Sequence, residues 1–336
     1  MEIVQGLILV CLSGAMAGLF LTPAKFMKAY RFENYWLVQS LVGCLFIPWL
    51  LAYLVLPDLP AFLSSLTWQA MLTPGLFALS WGVASMLSGL SVGRIGLSLT
   101  YALVIGVGAA AGVMVPLLYF TPESLGTRSG QLILAGIALM AVGLVLVTRA
   151  GRLRESASAS ANADSGSKFW LGIGMATFAG FLSAGLNFSF AFSGDVIHAA
   201  EVAGASGSSA TYPVWALALL GGMIPNAGFS AWNLTRNRTW RLYPSGIPKE
   251  LLLAVLMGTL FIGSTAVYGL GASMLGPLGT SAGWGIMQTM QIVVGNAGGF
   301  VTGEWKDAGP RPRQFLLAGL ALLVVASAVM ALGNRT

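Results

Sequence analysis

Charge is what this sequence has least of. Only 8% of its 336 residues are charged and 56% are hydrophobic, whereas an ordinary soluble domain carries about a quarter charged residues. So little charge excludes a soluble globular protein and implies an integral membrane protein. A single histidine excludes a His-rich metal centre. The two cysteines, Cys11 and Cys44, sit inside apolar runs and read as small buried hydrophobes, not as a disulfide or metal pair. Paired carboxylates, a His/Glu metal motif and a Ser/Lys nucleophile are missing from the apolar runs, which argues against an intramembrane enzyme. No cofactor is expected: GVGAAAG at 106–112 resembles a nucleotide fingerprint only superficially, because no soluble strand precedes it. The net charge of +6 does not imply nucleic acid, since the basic residues are scattered between hydrophobic segments instead of forming one patch. The first apolar run has no Lys or Arg before it and no clean cleavage site after it, so it is expected to be a retained helix.

What the sequence has in abundance is apolar windows of about 20 residues, the length needed to cross a hydrocarbon core. They begin near residues 3, 35, 69, 97, 130, 169, 212, 250, 279 and 314, giving ten expected spans. Proline punctuates the breaks: Pro57 and Pro60, Pro122, Pro244 and Pro248, and GPRP at 309–312. Cytoplasmic loops are enriched in Lys and Arg. Loops after odd-numbered spans hold Lys25, Lys28, Arg31, Arg94, Arg149, Arg152, Arg154, Lys168, Arg236, Arg238, Arg241, Lys249, Lys306, Arg311 and Arg313, and the other side has only Arg128 and Arg335. That asymmetry predicts both termini on the periplasmic side and the polar, Ser/Ala-rich tract at 150–168 in the cytoplasm.

The tract also divides two halves that resemble each other. A shift of 166 lays Gly6 on Gly172 and Gly14 on Gly180. A shift of 183 lays Ser98 on Ser281, Tyr101 on Trp284 and Gly112 on Gly295, and it continues through Gly136 on Gly319 and Arg152 on Arg335. One offset held across two consecutive spans is better evidence of a repeat than any single match. Because five is odd, the second copy must enter the membrane inverted. The expected fold is therefore an all-α integral membrane protein of ten transmembrane helices as two inverted five-helix repeats: 1–149, a cytoplasmic linker at 150–168, and 169–336. Small-xxx-small glycine pairs (Gly14/Gly18, Gly108/Gly112, Gly295/Gly299) point to close helix packing within one chain first and to dimerisation second, so monomer and dimer both stay open.

Inverted repeats are a transporter architecture with the site near the midplane. The polar residues at that depth are neutral amides and aromatics: Gln39, Trp81, Ser85, Tyr101, Asn187, Trp215, Asn226, Trp284, Gln288, Gln291 and Asn296. Amides donate and accept together, and aromatic faces suit the C–H patches of a sugar ring, so a small neutral sugar is the expected substrate. Trp284, Gln288 and Gln291 share one face of the ninth span by their i, i+4, i+7 spacing, while amides such as Asn226 and Asn296 also fit a structural role between helices. The expected substrate contacts are Trp81, Tyr101, Asn187, Trp284, Gln288 and Gln291. Trp36, Trp49, Trp68, Trp170, Trp232 and Trp305 fall near span ends and read as interfacial anchors. For a proton, the candidates are His198 with Glu201 in SGDVIHAAE, and Lys25 at the end of the first span; a His beside a carboxylate changes charge in the physiological range. Glu304 and Asp307, among cations in GEWKDAG, read as a loop-level salt-bridge group.

FLTPAKFMKAYRFENYW (20–36), SWGVASMLSGLSVGRIGLSL (80–99), LVTRAGRLRE (146–155), FLSAGLNF (181–188) and GEWKDAGPRP (303–312) together resemble the L-rhamnose–proton symporter family, within the ten-helix drug/metabolite transporter superfamily. The resemblance runs from the first span to the last. It implies uptake of a 6-deoxyhexose or similar monosaccharide across a bacterial inner membrane, coupled to a proton; an exporter of metabolites or drugs, common in the wider superfamily, is the alternative. The chain departs from the family pattern at Ala84, Ser85, Leu87 and Ser88, where the pattern has asparagines and a tyrosine. It departs again at Ser281–Trp284, where the pattern has an acidic residue.

Overall fold

A computed structural model describes residues 2–157 and 167–334, and among them all regular structure is helical. The principal helices are α1 (Glu2–Leu19), α2 (Phe32–Val55), α3 (Trp68–Ile95), α4 (Leu97–Phe120), α5 (Arg128–Ala157), α6 (Ser167–Val202), α7 (Tyr212–Arg236), α8 (Lys249–Met274), α9 (Trp284–Val301) and α10 (Pro310–Gly333). Local chemistry sets their limits. Thr67 caps α3 by accepting from the Ala70 N–H at 3.2 Å. Gly96, at φ 79°, lets α3 turn into α4 with no intervening loop, a conformation other residues adopt at a cost. In α2 a π turn at Val42–Phe46 precedes Pro48, which has no N–H to give the preceding turn. α6 is broken at Ala184 and again at Phe192–Ser193.

Among the described residues nine segments are long and apolar enough to cross a membrane. Of the ten expected spans, the one beginning near 279 is not among them. It starts as a π turn at Gly279–Gly283 and continues as α9, whose Gln288, Gln291, Asn296 and glycines lower its hydropathy. The segment is nonetheless among the most enclosed in the protein: Ser281 to Thr289 are buried without interruption. A helix so enclosed is shielded from lipid and can carry amides.

Eight helices pack edge to edge into a closed ring, in the order α7, α3, α6, α4, α9, α1, α8, α2 and back to α7, while α5 and α10 pair outside it against α4 and α9. Lipid is as apolar as the side chains, so small residues that admit close backbone approach hold such a ring together. A Cβ at Gly14 on α1 would meet the Met287 carbonyl and Gln291 N–H of α9, and one at Gly180 on α6 would meet the Leu103 and Val104 carbonyls of α4. Outside the ring, Gly136 of α5 abuts Met330, and Gly319 of α10 abuts Val147 and the Gly143 carbonyl. Gly108 faces Gly180 and Ser183, so these glycine pairs are used within the chain.

Side-chain bonds tie the loops at each end. At one end, rich in Lys and Arg, the Lys28, Ala29 and Tyr30 N–H groups donate to Glu250, Asn237 and Thr239 donate to Glu33, and Lys25 and Arg154 pair with Glu304. At the far end Ser129 donates to the Gly333 carbonyl and Asn334 to the Leu275 carbonyl. Of the tract at 150–168, residues 158–166 lie outside the described residues; α5 continues to Ala157 and α6 begins at Ser167. Trp68, Trp170 and Trp232 are exposed near helix ends. Trp305 corrects its reading as an interfacial anchor: it is 4% exposed, covered by the Arg154 guanidinium 4.7 Å from its ring.

Candidate functional site

The ring encloses a lumen, and toward the far end that lumen is filled. α6 and α8 stand opposite each other in the ring, and the Tyr268 hydroxyl of α8 donates to Asn187 Oδ1 of α6 at 2.6 Å. Around this bond Phe190 stacks on Trp215 with centroids 5.5 Å apart and planes at 5°, and Tyr268 meets Trp284 edge-on at 5.4 Å. Trp215, Tyr268 and Trp284 are 1%, 0% and 4% exposed. Gly185–Phe190 and Pro213–Leu219 are buried in unbroken runs. Asn187 commits both amide hydrogens to the Gly112 and Thr280 carbonyls, each at 2.8 Å, which leaves it no donor for a ligand. Gly112 also provides the flat surface against which the Trp284 indole rests, where a Cβ would collide. The indole N–H groups of Trp215 and Trp284 are buried without partners.

Below this plug the lumen changes character. α8 runs toward the far end and α9 away from it, and the two are registered by the Tyr268–Trp284 contact. Phe261 lies seven residues before Tyr268 and Gln291 seven after Trp284, each about 10 Å along its helix axis and nearly two full turns away. Both therefore lie at one common depth, with Gln288 about one turn nearer the plug. Trp81 reaches this level from α3, on the opposite side of the ring from α8, and stacks on Phe261 with centroids 5.2 Å apart and planes at 12°. Among the described residues, neither the Gln288 nor the Gln291 side chain has a hydrogen-bond partner. Of the other midplane amides, Asn226 accepts from Trp36 Nε1 and donates to the Gly222 carbonyl, Asn296 donates to the Ile292 carbonyl, and Gln39 accepts from the Ser40 hydroxyl at 3.4 Å. Nearer the basic end, Tyr101 of α4 is 44% exposed and close enough to Tyr35, on the facing α2, for the two phenols to interact electrostatically.

The candidates for proton coupling lie away from the lumen. His198 and Glu201 are 3.9 Å apart with side chains 80% and 53% exposed, at the solvated far end of α6. Lys25 pairs with Glu304 and donates to Thr302 at 3.1 Å, at the basic end. Glu304 is the ion-pair group its surroundings in GEWKDAG suggested, joining the chain after α1 to the chain after α9 and, through Arg154 at 3.5 Å, to α5. Sequence reasoning did not single out the two buried carboxylates Glu33 and Glu250; Glu250 is 7% exposed and accepts from three successive backbone donors, as at an anion-binding nest. Tyr243, which donates to the Asn34 carbonyl, has its phenol pushed up to about 12 by burial and by the nearby Tyr30 and Glu33. No His/Cys/Asp/Glu group suited to a metal is present among the described residues.

The arrangement is thus a ring with one end sealed and unpaired amides beneath the seal. The whole chain, residues 1–336, matches the model of the L-rhamnose-proton symport protein family (RhaT). The chain belongs to that family. Similar relatives include the L-rhamnose-proton symporter of Citrobacter koseri, 27% identical over 98% of both chains, that of Cronobacter sakazakii, 28% identical over 99% of both, and that of Klebsiella pneumoniae subsp. pneumoniae, 27% identical over 98% of both. Membership makes this RhaT-family chain a multi-pass membrane transporter, not an enzyme, and does not favour the exporter reading.

Proposed function

We propose that the chain takes up a small neutral sugar of the L-rhamnose kind, with a proton, across a bacterial inner membrane. It does so by alternating access between two inverted five-helix repeats, 1–149 and 169–336, joined by a cytoplasmic linker at 150–168. Packing supports the repeats. Exchanging α1–α5 for α6–α10 turns α1 on α8 into α6 on α3, α1 on α9 into α6 on α4, and α3 on α7 into α8 on α2, all of which are present. The loops at the two ends of α9 meet partners at opposite ends of the bundle, which supports α9 as a tenth crossing. The basic end is cytoplasmic in this reading, both termini are periplasmic, and the structure is an inward-facing state. Tyr101 occupies in the first repeat the place Trp284 occupies in the second; one is exposed and the other packed, and transport exchanges the two conditions.

The observation that carries the substrate reading is the pair of unpartnered amides, Gln288 and Gln291, facing the lumen beneath the plug. Free amides need hydroxyls or water, and burying them without a partner is costly. Among the described residues no charged side chain shares their depth, so the fitting ligand is neutral and hydroxyl-rich. Trp81 offers it an aromatic face, Tyr101 lines its exit, and Asn187 and Trp284 shape the roof. For the proton we favour Lys25 with Glu304, because that ion pair joins the chain after α1 to the chain after α9 and so spans the two repeats. Calorimetric titration of purified protein with L-rhamnose tests the reading. Saturable binding, lost in a Gln288→Ala/Gln291→Ala double variant, supports it, and no binding of L-rhamnose or a close monosaccharide by the parent refutes it.

A further inference from the structure

We infer that Phe261 sets substrate specificity: with Trp81 it forms an apolar floor that rejects a sugar bearing a hydroxyl where a 6-deoxyhexose bears a methyl. The inference rests on the sugar-uptake reading above and adds a residue that reading does not use. Phe261 and Gln291 lie at one depth, on the two helices that flank α1 in the ring, as the seven-residue offsets from the Tyr268–Trp284 contact require. Trp81 reaches Phe261 from α3, across the ring from α1, so a pyranose whose hydroxyl edge engages Gln288 and Gln291 brings its C–H and methyl edge to the near-parallel Trp81 and Phe261 rings.

Both rings are held from behind. A Cβ at Gly222 would lie 2.8 Å from Trp81 Cε3, and one at Gly43 would lie 3.1 Å from Phe261 Cδ1; Phe20 backs Phe261 at 6.0 Å. Phe261 is 8% exposed, so it has little room to move aside for a water that would solvate an added hydroxyl. Its ring supplies neither donor nor acceptor, and a hydroxyl pressed on it goes unpaired. An apolar wall discriminates against one extra hydroxyl by at most about a hundredfold.

The test compares L-rhamnose with L-mannose, its 6-hydroxy counterpart, by calorimetric titration of purified parent, Phe261→Tyr and Phe261→Leu proteins. The parent is expected to bind L-rhamnose about ten- to a hundredfold more tightly than L-mannose. Phe261→Tyr, which adds a phenolic partner at the floor, should reduce that ratio to about threefold or less, and Phe261→Leu should preserve it. An unchanged ratio in Phe261→Tyr, equal affinity for both sugars in the parent, or an equal collapse in Phe261→Leu overturns the inference while leaving sugar binding intact. Failure of the parent to bind either sugar overturns the uptake reading and the inference together.

Discussion

Replacing Tyr268 with phenylalanine removes one hydroxyl from the plug and keeps the ring that packs against Phe190, Trp215 and Trp284. In the state described here that hydroxyl spans the lumen to Asn187, and both residues are 0% exposed. The variant leaves the Asn187 oxygen without its donor in a dry site, which costs the sealed state about 1–3 kcal/mol. A state with the plug parted lets water reach Asn187 and loses little. The equilibrium should therefore move toward the outward-open state by about ten- to a hundredfold. Ser281, 1% exposed at the plug end, is a suitable reporter once Cys11 and Cys44 have been replaced. With Ser281→Cys, an impermeant thiol reagent added from the periplasmic side should react faster in Tyr268→Phe by about that factor, because the rate follows the minor open population. Identical rates, with both proteins equally expressed and folded, refute the assignment of the plug as the outer gate.

Gln288→Ala and Gln291→Ala should each weaken sugar binding by about ten- to a hundredfold with normal expression; unaltered affinity in both would make the amides structural. Ser167→Cys, at an exposed position beside the expected linker, should resist impermeant reagents in intact cells and react in inverted vesicles, and the reverse pattern would invert the topology. Glu304→Gln should abolish gradient-driven accumulation while retaining exchange of labelled for unlabelled sugar. His198→Gln, whose exposed ring touches Glu201 only loosely, should retain both activities. Uptake assays in proteoliposomes with and without a pH gradient separate these cases, and loss of accumulation in His198→Gln alone would move coupling to the far end.

Hydropathy marks helices that face lipid, and it located α1 to α8 and α10 from sequence. α9 falls short in hydropathy because enclosure lets it keep Gln288, Gln291 and Asn296; its apolar window and its constant offset from the fourth helix had nonetheless marked it as a span. Phe261 was illegible. One of seventeen phenylalanines, it differs from its lipid-facing counterparts only because Trp81, on a helix across the ring, stacks on it. Asn187 read as a contact residue because a sequence does not show that its donors are consumed by carbonyls of residues 112 and 280. Glu33 and Glu250 were not singled out because the groups that hydrogen-bond them lie more than 200 positions away. Trp305 looked interfacial for the same reason, its cover being Arg154 of α5.

The central claim is that this chain moves a rhamnose-like sugar through its lumen, and counterflow tests it most directly. Proteoliposomes loaded with unlabelled L-rhamnose and diluted into trace labelled L-rhamnose need no ion gradient to drive uptake. The account predicts a transient accumulation of label that depends on the protein and is strongly reduced in the Gln288→Ala/Gln291→Ala variant. Label entry no faster than in protein-free liposomes, from a preparation shown to be folded, would contradict it.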